Sequence, residues 1–92
     1  MSRHEIPSLD PAHKVIVGWD PPLLTYYAQV IDRAIEAAGD ERDGAPDKFV
    51  LWIGTLCYEI YEVEHLRRRI SKYAELSPEI GATLYGDKDE GN

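Results

Sequence analysis

The stretch Gly18-Trp19-Asp20-Pro21-Pro22-Leu23-Leu24-Thr25-Tyr26-Tyr27-Ala28-Gln29-Val30-Ile31-Asp32 admits two backbones, and the choice between them sets the fold class. As a helix, Asp20 is the N-cap, Pro21 the first helical residue and Gly39 the stop. At about 100° per residue, Thr25, Gln29, Asp32, Arg33 and Glu36 gather on one side of the wheel. Leu23, Tyr27, Val30, Ile31, Ala34, Ile35 and Ala38 gather on the other. As a hairpin, Asp20-Pro21-Pro22 turns the chain and Leu23 to Ile31 returns it.

Two arguments favour the hairpin. Thr25 to Ile31 is mostly β-branched or aromatic, which suits a strand better than a helix. A helix here would also leave only two full strands, parallel across one crossover, and parallel sheets form almost only with more strands and both faces covered. The expected fold is therefore α+β: a three-stranded antiparallel sheet of Lys14–Trp19, Leu23–Ile31 and Lys48–Thr55, packed by C-terminal helices. Asp32 then caps one or two turns through R-A-I-E-A-A. The alternative is βαβα, with residues 21–38 as one helix. The block G-W-D-P-P-L-L-T-Y-Y-A-Q-V, with L-W-I-G-T downstream, resembles a segment of small uncharacterised bacterial proteins. In those a G-aromatic-D-x-P-L-x-T-aromatic-aromatic stretch precedes a strand ending in G-T. The resemblance covers about a third of the chain, implies a strand, and carries no function.

Around this hairpin the other elements read more simply. Lys14 to Trp19 has three consecutive β-branched residues before an aromatic. The five-residue apolar run Phe49 to Ile53 predicts a central strand, buried on both faces. Glu62 to Glu75 has helical spacing, with Val63, Leu66, Ile70, Tyr73 and Ala74 on one face. Acids lead this helix and Arg67, Arg68, Arg69 and Lys72 follow, as its dipole prefers. Ser77 caps a second helix, Pro78–Tyr85, stopped by Gly86. Residues 1–12 read as a loose arm lying along the domain through Ile6 and Leu9. The core spans 13–85, residues 39–47 form an exposed loop and 86–92 a frayed tail.

The 92 residues make one domain with a thin core. The formal net charge of −7 argues against nucleic acid and anionic membranes and favours a basic protein partner. No run approaches the roughly 20 apolar residues of a membrane span. The N-terminus shows neither an apolar core nor a small-residue cleavage site, so the cytoplasm is the expected compartment. A single cysteine, Cys57, excludes an internal disulfide and reads as a small packing residue.

Chemistry-bearing constellations are sparse. Glu62-x-x-His65 has the spacing of a di-metal motif, but a site needs a second copy on long helices, so a solvated face is the better reading. The Arg67–Arg69 run is flanked by acids, and intrahelical pairing explains it. Nothing places Cys57 or Ser71 beside a histidine, and no phosphate-binding glycine motif is present. No catalytic residue, metal site or cofactor is therefore assigned.

Six tyrosines and two tryptophans exceed what so small a core hides, and such residues favour interfaces. Asp20, Tyr26, Tyr27, Tyr58 and Tyr61 are the candidate partner-binding residues. The expected function is an acidic protein–protein interaction module, an accessory subunit or an inhibitor of a basic or nucleic-acid-handling partner. A homodimer through an exposed strand edge is a further expectation. The alternative is a small-molecule-binding or minor enzymatic domain using Asp20 and the neighbouring rings.

Overall fold

A computed structural model describes residues 2–38 and 48–90. The chain folds as α+β, and residues 13–32 form the hairpin. The elements are β1 (His4–Ile6), β2 (His13–Asp20), β3 (Thr25–Asp32), α1 (Arg33–Ala38), β4 (Phe49–Ile53), α2 (Val63–Ile70) and α3 (Pro78–Glu90). The strands make one antiparallel sheet in the order β1-β2-β3-β4. Among the described residues the expected three strands are thus corrected to four. His4, Glu5 and Ile6 pair with Val17, Ile16 and Val15, which turns part of the expected arm into an edge strand. Ile6 is buried as anticipated, whereas Leu9 stays exposed.

The hairpin forms because both faces of β3 find cover. Trp19, Tyr26, Ala28 and Val30 face Val63, Leu66, Ile70 and Leu84 of α2 and α3. Ile16, Tyr27 and Ile31 pack with Phe49 on the opposite face. A strand buried on both sides carries apolar residues at nearly every position, and such a run also satisfies a helical wheel. The loop between the strands holds Leu24 at φ +51°, with its N–H donating to the Pro21 carbonyl at 3.2 Å. Asp32 Oδ1 accepts from the N–H groups of Ala34 and Ile35 at 2.9 and 3.1 Å, capping α1 as its position in the sequence implied.

β4 departs from expectation. It stands at an end of the sheet instead of its centre, and Val50 and Trp52 are exposed. A register shift opposite Val30 and Ile31 makes Val50 the extra residue, so Phe49 pairs with Ile31 and Trp52 with Gln29. Both rings therefore lie on the face away from α2 and α3, 4.6 Å apart between centroids. Among the helices, α2 ends at Ile70 rather than Glu75. α3 runs through Gly86 to Glu90, so the described part of the expected tail is helical. Ser77 accepts from the Ile80 N–H at 3.3 Å, as a cap should. The loop expected at 39–47 and the stop expected at Gly39 lie outside the described residues.

Candidate protein-docking surface

The surface of interest lies where the β2–β3 hairpin turn meets the segment 54–61 joining β4 to α2. That segment is tied to β3 through Thr25, the one fully buried polar residue among those described. Its hydroxyl accepts from the Ile60 N–H at 2.8 Å. It lies 2.8 and 3.1 Å from the carbonyls of Tyr26 and Ile60, either of which can take its proton. The Tyr26 N–H donates to the Ile60 carbonyl at 2.7 Å, and the Tyr58 N–H to that of Leu23 at 3.0 Å.

The tip of the segment is held from within. Glu59 Oε2 accepts from the Gly54 N–H at 3.2 Å, and Oε1 from those of Thr55 and Leu56 at 3.2 and 3.3 Å. Three backbone donors thus converge on one carboxylate, a charge-assisted brace across the turn. Two residues complete the bend with left-handed backbones, Gly54 at φ +82° and Tyr58 at φ +57°. For a tyrosine that conformation is costly and persists only where the surroundings over-determine it.

On this braced loop Ile60 is buried, but three large side chains point outward: Leu56 is 68% exposed, Tyr58 64% and Tyr61 47%. The rings of Tyr58 and Tyr61 lie 6.4 Å apart, and Tyr61 meets Trp19 edge-on at 6.1 Å. The expected pair Tyr58 and Tyr61 is therefore brought together in solvent. The expected Tyr26 and Tyr27 do point to opposite faces of the sheet, but both are buried and neither is on display. Tyr26 donates to the Leu84 carbonyl of α3 at 3.1 Å, and Tyr27 to the Ser2 carbonyl at 2.6 Å. Burial pushes both phenols above their ordinary value of 10.0. For Tyr26, Tyr85 and the carboxylates of Glu62, Asp87 and Asp89 add to the effect. For Tyr27, Arg3 opposes the shift and Asp20 adds to it.

Asp20 is half-buried at the end of β2, and its carboxylate makes no hydrogen bond or ion pair among the described residues. It lines a groove of about 370 Å³ on the face away from α2 and α3, together with Arg3, Leu23, Tyr27, Gln29, Trp52, Gly54 and Thr55. Leu23, Gly54 and Thr55 join the groove to the exposed loop. Sequence reasoning missed Trp52, Leu56, Glu59 and Thr25. Glu59 alone carried a readable signal, an acid set just past a G-T turn.

Among the described residues no three His, Cys, Asp or Glu side chains are grouped to hold a metal ion, and no helix is long and apolar enough to cross a membrane. The Arg67–Arg69 run is partly consumed by Glu64 on Arg67 and by Glu59 3.9 Å from Arg69. None of the protein-family models, curated proteins or solved structures compared with this chain matches it.

Proposed function

We propose that the chain is a small acidic protein-interaction module, an accessory subunit or inhibitor that docks a basic partner through Leu56, Tyr58 and Tyr61. One observation carries this reading: large apolar side chains stand in solvent on a backbone that is braced and locally strained. Strain and exposure both oppose folding stability, so their rigid presentation is accounted for by recognition. Rigid aromatic anchors lose little entropy on binding, and the net charge of −7 favours encounter with a positive surface.

The test places a photo-crosslinking phenylalanine at Tyr58 in the producing cell. One partner should be captured, unlabelled wild-type protein should compete, and Leu56→Ser with Tyr61→Ala should cut the yield at least tenfold while thermal unfolding is retained. Crosslinks that are unchanged by those substitutions overturn the reading.

The groove beside Asp20 favours a second reading, a small ligand that stacks on Trp52 and pairs with the carboxylate of Asp20, which has no partner among the described residues. Quenching of tryptophan fluorescence by a library of small cations and sugars should then be lost in Asp20→Asn. Indifference of every hit to that substitution removes the reading.

A further inference from the structure

Lys88 sits in the last turn of α3, between Asp87 and Asp89, yet its ammonium contacts neither carboxylate. It lies instead 3.4 Å from the centroid of the Tyr61 ring, 5.9 Å from that of Trp19 and 6.0 Å from that of Tyr26. Its remaining contact is a hydrogen bond, donated to the Tyr61 carbonyl at 2.7 Å. An ammonium held over three ring faces marks an ammonium receptor, because ring quadrupoles attract cations most where water is scarce. Trp19 and Tyr26 are buried and supply that dry floor, while Tyr61 forms the half-open wall beside Tyr58.

We propose that the Trp19–Tyr26–Tyr61 box is the seat for a lysine side chain of the basic partner, occupied in the free protein by the chain's own Lys88. The inference rests on the docking surface proposed above and names the partner chemistry it reads. The Tyr61 carbonyl accepts from the ammonium, a bond that a quaternary cation cannot make, so the box favours a primary ammonium. Glu62, Asp87 and Asp89 flank the box in sequence and add the negative field that draws a cation in. Release of the plug is local. Gly86, two residues before Lys88, weakens the last turns of α3, and helix ends open at low free-energy cost.

The experiment compares wild type with Lys88→Met, which keeps an unbranched stem and removes the charge. Acetyl-Gly-Lys-Gly-amide is titrated while the Trp19 indole N–H and Tyr61 ring resonances are followed by NMR. Lys88→Met should bind this peptide at least tenfold more tightly than wild type does, because the tethered competitor is gone. The norleucine analogue of the peptide and tetramethylammonium should bind at least tenfold more weakly than the lysine peptide. Adding Tyr61→Ala should abolish the response. If Lys88→Met does not fold, Lys88→Gln carries the same comparison.

Absence of binding, or equal binding of the lysine and norleucine peptides, overturns the box, and tighter tetramethylammonium binding overturns its selectivity for lysine. Failure here with crosslinking at Tyr58 intact leaves the docking surface standing. Lysine binding with crosslinking indifferent to Leu56 and Tyr61 does the reverse.

Discussion

At the scale of single residues, the decisive ones are those whose conformation or ionisation cannot be exchanged. A Cβ on Gly54 would sit 2.1 Å from the Tyr26 carbonyl oxygen and 2.5 Å from the Tyr27 Cα, backbone atoms that cannot step aside. The positive φ adds strain of its own, so Gly54→Ala should cost about 3 kcal/mol or more in urea unfolding. A loss under 1 kcal/mol, on the order of a surface change, would contradict the close approach described for this turn. The buried phenols give a second test. Both pKa values are raised in the folded state, so the native protein holds protons that the unfolded chain releases above about pH 10. The stability from this source is fully present below that pH and falls as pH rises through it toward the folded values. Tyr26→Phe should therefore flatten the alkaline arm of the stability–pH curve, whatever it does at neutral pH. Absorbance at 295 nm should show two of the six tyrosines ionising only as the fold opens. Six tyrosines titrating together while near-UV dichroism stays native would refute the burial of Tyr26 and Tyr27.

At the scale of elements, the braced loop and α3 make opposite predictions. Thr25→Val keeps the shape but removes the hydroxyl, stranding the buried Ile60 N–H that it accepts from. The cost should be about 1–3 kcal/mol, with faster amide exchange across 56–60. An unchanged exchange pattern would mean that Thr25 does not tie this loop to the strand. In α3, a Cβ at Gly86 meets nothing within 4 Å, and the residue is helical. Gly86→Ala should stabilise the protein by about 0.5–1 kcal/mol and tighten the turn that carries Lys88. A destabilisation would show that the helix does not continue past Tyr85. Residue types made the hairpin legible, since Thr25 to Ile31 favours a strand despite its helical period. The edge position of β4 was hidden, because in Phe49-Val50-Leu51-Trp52-Ile53 every residue is apolar and no alternation marks a solvent side. The bulge at Val50 that brings Phe49 onto the same face as Trp52 leaves no sequence signal either.

At the scale of the molecule, β1 and the end of α3 close on each other, which short-range sequence patterns cannot reveal. His4-Glu5-Ile6 is too short to read as a strand before Pro7; pairing with β2 makes it one. Ser2 takes the Trp19 N–H on its hydroxyl at 2.8 Å and donates its own N–H to the Trp19 carbonyl at 3.1 Å. Its carbonyl takes the Tyr27 hydroxyl, while His4 Nε2 meets Asp87 Oδ2 of α3 at 2.7 Å. These contacts explain why Tyr26 and Tyr27 are buried and not displayed: α3 roofs one ring and the N-terminal segment holds the other. Tyr58 and Tyr61 stay exposed on the turn after β4, where only Lys88 of α3 reaches over the Tyr61 ring among the described residues. The same closure couples β1 to the lysine box, since Ile6, Trp19, Tyr26 and Leu84 share one core. Ile6→Ala should cost about 2–4 kcal/mol as a large-to-small core change. Amides of Leu84 to Lys88 should lose more protection than those of α2, because β1 and the end of α3 are pinned to each other through His4 and Asp87. Uniform loss of protection across both helices would show that β1 stabilises the whole core equally, with no particular grip on the turn carrying Lys88.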